Sequence, residues 1–160
     1  MKQNDDERIL ESIRTIIRLA RIAQQTCEEV GLSLPQYRSL NSAARGKRRA
    51  YELARYSAVS RPAMSALTTG LEKQELIERS DAESDGRGVY FCASRKGLAA
   101  LADVERLLVQ RFNEILGTAG ESLGALDSPA IGAALDRQAD RDFGPPDASQ
   151  GGTGKRRSTN

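Results

Sequence analysis

The side chains that could act on something outside this chain are concentrated between Gln36 and Lys73. Arg38, Arg45, Lys47, Arg48, Arg49, Arg55, Arg61 and Lys73 stand there against only Glu52 and Glu72, a local charge of +6 in a chain whose total is +2. The flanks are balanced, with five basic and six acidic residues in Met1–Val30 and again in Ser94–Gln138. A positive field focused on one stretch suits a surface that meets a polyanion. Within it, Ser60, Arg61, Pro62, Ser65, Thr68 and Thr69, with Ala63 and Ala66 beside them, offer short polar groups and methyls on one helix. Such a face can approach base edges in a major groove, where Thr or Ala touches a thymine methyl. The plainer reading of the same pattern is a solvated helix face. Arg45-Gly46-Lys47-Arg48-Arg49 is the densest basic run, read either as a turn that grips phosphates or as a solvated turn.

Other chemistries are poorly supplied. The chain has no histidine, which removes the commonest metal ligand and the commonest general base together. Cys27 and Cys92 are far apart and lack zinc or redox spacing, so no disulfide, metal or cofactor is expected, and no enzyme. Each cysteine reads as structural, Cys27 on an apolar stripe and Cys92 in a strand facing opposite to Phe91. No apolar run approaches the ~20 residues of a membrane span, and the polar start lacks a signal-peptide core. A cytoplasmic protein without membrane contact is expected.

The elements that must hold the basic segment are legible from periodicity. Ile9, Ile13, Ile16, Ala20, Ala23, Cys27 and Val30 form an unbroken heptad stripe, widened by Leu10 and Ile17, and Gly31 ends it. Ser33-Leu34-Pro35 opens a short helix that carries Tyr37 and Leu40 inward, and Ala50 to Tyr56 forms a third helix with Leu53 and Ala54 buried. Ser57-Ala58-Val59 is a tight connection, and Ser60 with Pro62 starts a fourth helix running to about Lys73. Helices joined this closely make a helix-turn-helix. Leu76–Arg79 and Gly88–Cys92 are strand-like around a polar tip, Ser80 to Arg87. Ser94 caps a long fifth helix bearing Leu98, Leu101, Val104, Leu108, Phe112 and Ile115, and Asp127-Ser128-Pro129 opens a last one with Ile131, Ala134 and Leu135 on one side.

This order resembles the multiple-antibiotic-resistance regulator (MarR) family. The residues that carry the resemblance are Tyr51-Glu52-Leu53-Ala54, Val59-Ser60-Arg61-Pro62, Leu71-Glu72-Lys73, Leu76-Ile77-Glu78-Arg79, Ser84-Asp85-Gly86-Arg87 and Ser94-Arg95-Lys96-Gly97. It covers roughly residues 8 to 140. The resemblance implies a mainly α fold with a small β-hairpin wing, a winged helix-turn-helix whose dimer is formed by the N- and C-terminal helices. Residues 1–34 then form an N-terminal dimerisation helix, 35–93 the DNA-binding lobe, 94–138 the C-terminal dimerisation helices and 139–160 a disordered tail.

It also implies a sequence-specific double-stranded DNA-binding transcription regulator, a homodimeric repressor released from an inverted-repeat operator by a small aromatic or anionic effector. DNA contacts are expected from Arg49, Ser60, Arg61, Pro62, Ala63, Ser65, Ala66, Thr68 and Thr69. The wing would add Arg87 in or along the minor groove, oriented by Asp85, since a narrow minor groove concentrates negative potential. Tyr37 and Arg38 would line an effector cleft between the dimer helices and the DNA-binding lobe. Two positions depart from the family pattern. Glu75 stands where glycine commonly ends the recognition helix, so a left-handed cap there would cost ~1–2 kcal/mol, and Ala66 replaces a longer side chain. The alternative is a winged-helix protein-interaction module without specific DNA binding, and the +6 segment argues against it.

Overall fold

The computed structural model describes residues 2–81 and 89–144. Helix α1, Lys2–Glu29, ends at Gly31, whose φ of 77° gives the chain its left-handed turn. Helix α2, Leu34–Ala44, starts from a capping box in which the Ser33 hydroxyl accepts from the Gln36 N–H while the Gln36 side chain accepts from the Ser33 N–H. A two-residue strand β1, Arg48–Arg49, leads directly into α3, Ala50–Ser57. Helix α4 spans Arg61–Lys73, followed by strands β2, Ile77–Asp81, and β3, Val89–Ala93. Helix α5, Arg95–Leu116, runs into a 3-10 stretch, Gly117–Leu126, and α6, Pro129–Phe143.

The hairpin expected from the sequence is part of a three-stranded antiparallel sheet in the order β1-β3-β2. Arg48 pairs with Phe91 and Arg49 with Tyr90, while Ile77, Arg79 and Asp81 on β2 face Ala93, Phe91 and Val89. The basic run read as a turn therefore ends in a strand, because the edge of β3 takes up its backbone groups. One core serves the lobe. Leu40, Leu53, Met64, Leu71, Leu76, Ile77 and Phe91 close it, and Cys27, Leu32, Leu101 and Val104 extend it under α1 and α5. The buried hydroxyls of Ser39 and Ser57, 2.5 Å apart, share a hydrogen bond that fixes α2 against α3.

Helix α6 continues through Phe143, past the boundary at residue 139 where the tail was expected to begin. The cause is a tertiary contact. Arg55 of α3, with its side chain 9% exposed, reaches the Asp140 carboxylate at 2.5 Å and donates to the Asp136 and Gly144 carbonyls. The heptad stripe of α1 divides in two. Cys27 is buried against α2 and α5, whereas Ile9, Leu10, Ile13, Ile16 and Ile17 are between 45% and 63% exposed. Val109 and Ile115 on α5 and Leu135 on α6 are exposed as well.

Candidate nucleic-acid interface

Helix α4 begins where Ala58 takes a left-handed φ of 54°, which turns the chain sharply from α3 into the next helix. The Ser60 hydroxyl accepts from the Ala63 N–H, satisfying one of the free donors of the first turn, and Pro62 occupies a position that has no partner for an N–H. Met64, Thr68 and Leu71 face inward and are buried. Pro62, Ala63, Ser65, Ala66 and Thr69 form the outward face and are all exposed, and Arg61 opens the helix. This places small groups at a spacing of three and four residues along one side, with no long side chain among them to hold the helix away from a groove floor.

Thr68 does not belong to that face. Only 5% exposed, it donates to the Met64 carbonyl at 3.0 Å and the Ser65 carbonyl at 3.1 Å. It lies one helical turn after Met64, so its position follows the core and its hydroxyl is satisfied internally. The sequence expectation that Thr68 reads bases is corrected accordingly.

Two contacts fix α4 against the sheet. The Arg79 guanidinium on β2 donates to both Glu72 oxygens, at 2.9 and 3.1 Å, and lies 5.6 Å from the Phe91 ring centroid. Such a two-pronged pair constrains direction as well as distance. At the far end Glu75 has φ 60°, the left-handed geometry its type makes costly, and its carbonyl accepts from Ser94 Oγ at 2.6 Å. The Lys96 ammonium, 2.9 Å from the Glu75 carboxylate, holds that carboxyl below its usual pKa. The sequence reading did not assign Arg79 a role, since an acid and a base at this separation become partners only once α4 and β2 pack.

Arg49 stands where α3 meets the sheet. Its guanidinium donates to the Tyr90 hydroxyl at 3.0 and 2.8 Å, and its backbone N–H donates to Glu52 at 2.7 Å. Any phosphate contact from Arg49 therefore comes from a side chain already oriented by β3. Asp85 and Arg87 lie outside the described residues. Tyr37 is half-buried against the core, where burial and then the Glu105 charge raise its pKa, whereas neighbouring Arg38 is exposed and lines a different cavity with Ser42, Arg45 and Arg48. The +6 count also overstates the outward field, because Asp140 neutralises Arg55.

Residues 30–88 match the family model described as MarR family. No curated protein matches the sequence. Among solved structures, a MarR family transcriptional regulator from Silicibacter pomeroyi superposes with a TM-score of 0.65 at 23% identity, covering 82% of this chain and 88% of that one. NadR in complex with 4-hydroxyphenylacetate gives 0.64 at 20% identity, over 81% and 90%. The transcriptional repressor CouR, bound to a 23-mer DNA duplex, gives 0.62 at 26% identity, over 78% and 89%. The family model lies on the helix-turn-helix segment and the solved structures share the same arrangement of helices and sheet across most of this chain, so residues 30–88 resemble the MarR family and the chain has the winged-helix fold of these structures.

Proposed function

We propose that this chain is a sequence-specific double-stranded DNA-binding transcription regulator. In this reading α4 enters the major groove, and the exposed row Pro62, Ser65, Ala66 and Thr69 is the observation that carries it. Small groups there let the helix backbone approach base edges closely, while Arg61, Arg49 and the segment bearing Asp85 and Arg87 supply phosphate and minor-groove contacts. The DNA-bound relative supports the reading.

The regulator acts as a homodimer. The apolar row Ile9, Ile13, Ile16 on α1, with Ile115 and Leu135, is too large an exposed surface for a lone protomer and fits a second copy. Two recognition helices related by a two-fold axis then read an inverted repeat with half-sites ~10 bp apart. The physiological role is that of a cytoplasmic repressor released by a small aromatic or anionic ligand, a reading supported by the 4-hydroxyphenylacetate complex of a relative. Among the described residues no helix is long and apolar enough to cross a membrane.

Selection of bound fragments from genomic DNA, followed by footprinting with the full chain, tests the reading. A protected inverted repeat next to a promoter is the expected result. Uniform, sequence-independent retention that vanishes at moderate salt would remove it, and sedimentation of a stable folded monomer at micromolar concentration would remove the dimer.

A further inference from the structure

On the face of the lobe formed by the second half of α2, β1 and the end of α3, a cavity of about 220 Å³ is lined by Arg38, Asn41, Ser42, Arg45, Arg48 and Tyr56. Three of these lining residues are arginines, and no carboxylate among the described residues forms an ion pair with any of them. Like charges gathered around one cavity repel, and an anion between them removes that cost. A second observation points the same way. Ser42 is only 6% exposed, and neither its hydroxyl oxygen nor the buried Nε of Arg48 has a hydrogen-bond partner. Buried polar atoms are nearly always satisfied, so two unpartnered groups lining one cationic cavity imply a ligand oxygen. Arg48 is held in place by its strand pairing with Phe91 and by the Tyr56 ring, 5.9 Å from the guanidinium carbon. Of the lining arginines, Arg38 and Arg45 are exposed to solvent.

We propose that this cavity is a binding site for a phosphate group. Three cations without a carboxylate favour a doubly charged oxyanion over a singly charged one. The donors present, guanidinium N–H, a hydroxyl and the Asn41 amide, match the several acceptor oxygens of a tetrahedral phosphate. The group arrives either on a free phosphorylated small molecule or as part of a DNA backbone. The site does not depend on α4 reading bases, because it can be titrated on the protein without DNA.

Calorimetric titration of the full chain with inorganic phosphate, against chloride at matched ionic strength, is the first measurement. Saturable binding of one phosphate per chain is expected, weakened at least ~tenfold in the Arg38→Gln/Arg45→Gln double variant, a loss equivalent to one charge-assisted hydrogen bond or more. Both residues are exposed, so the fold is retained. Ser42→Ala changes no charge and separates a built site from a diffuse positive field. It should weaken phosphate binding while leaving unfolding in chloride unchanged or shifted upward. Duplex binding at several salt concentrations then assigns the source. A log-log slope lowered by ~0.9 in the double variant places a backbone phosphate in the cavity, and an unchanged slope with phosphate binding intact in the wild type assigns it to a free ligand. Equal phosphate affinity in wild type and double variant, or no phosphate binding together with an unchanged slope, overturns the proposal.

Discussion

Gly97, in the first turn of α5, lies so close to Leu76 that a Cβ on it would stand 1.9 Å from the Leu76 carbonyl oxygen and 3.0 Å from Leu40 Cδ1. The same carbonyl accepts from the Ser94 N–H at 3.0 Å, so the end of α4, the start of β2 and the start of α5 are joined at one backbone crossing. Alanine at this position would ordinarily favour a helix by ~1 kcal/mol. Here the backbone oxygen cannot move without breaking that bond. Gly97→Ala should therefore destabilise the lobe by ~3 kcal/mol or more, read as a lower urea midpoint. Equal stability would mean that the two backbones are free to separate.

Ala58 makes the opposite case, since its φ of 54° carries a side chain where none is favoured. Removing the left-handed penalty of ~1–2 kcal/mol is offset by the ~0.5–1 kcal/mol that glycine loses in ordering. Ala58→Gly should raise stability by up to ~1 kcal/mol, visible as a higher melting temperature. DNA affinity should be unchanged, because only the turn before α4 is relaxed.

Arg55 counts toward the positive middle of the sequence, yet its charge is directed inside the fold at Asp140 and two carbonyls of α6 and its end. Arg55→Ala leaves these acceptors without a donor, and Asp140 is partly solvated. The expected loss is ~1–2 kcal/mol of stability, with earlier proteolysis near α6. The salt slope of DNA binding should not change. A slope lowered by ~0.9 would instead place Arg55 on a phosphate.

Cys27 is fully buried, and burial, followed by the nearby Glu28 charge, pushes its thiol above the usual range, while Cys92 is half-exposed. The thiolate is the reacting form, so Cys27 should stay unmodified by thiol reagents until the protein unfolds, and Cys92 should react first. Mass spectrometry after timed labelling checks the order. Neither Cys27→Ser nor Cys92→Ser should abolish peroxide sensitivity of DNA binding, if any exists, since oxidation is not expected to be the main switch.

What was legible in the sequence was what local interactions decide. The caps at Ser33, Ser60, Ser94 and Ser128 each bind an N–H three residues on, so residue type and spacing contain the whole contact. Strand β1 was not legible, because two residues have no periodicity and their pairing partner, β3, is supplied by the fold. The length of α6 depends on Arg55, on another helix far away in sequence. Arg38, Ser42, Arg45 and Arg48 share a cavity only after β1 docks beside α2. Thr68 is a different kind of miss. Met64, Thr68 and Leu71 recur at helical spacing, and the polar residue type obscured a period that was present.

That miss supplies a direct test of α4. Ser65 and Thr69 are exposed one turn apart on the outward face, whereas the Thr68 hydroxyl is bonded to two backbone carbonyls. A side chain reading a base edge supplies ~1–3 kcal/mol of discrimination and touches no phosphate. Ser65→Ala and Thr69→Ala should each lower the ratio of operator to scrambled-duplex affinity while leaving the salt slope nearly intact. Thr68→Val keeps the shape and removes only the internal hydroxyl, so it should cost ~1 kcal/mol or less of stability and preserve the ratio. Arg87→Ala, in the sequence between β2 and β3, should weaken both duplexes alike and lower the slope by ~0.9 for each phosphate that the side chain neutralises. Titrations of these variants on both duplexes at several salt concentrations separate the roles. If Thr68→Val lost discrimination while Ser65→Ala and Thr69→Ala kept it, α4 would have to meet DNA through the face that now packs on the core. The outward row from Pro62 to Thr69 would then not be the surface that reads bases.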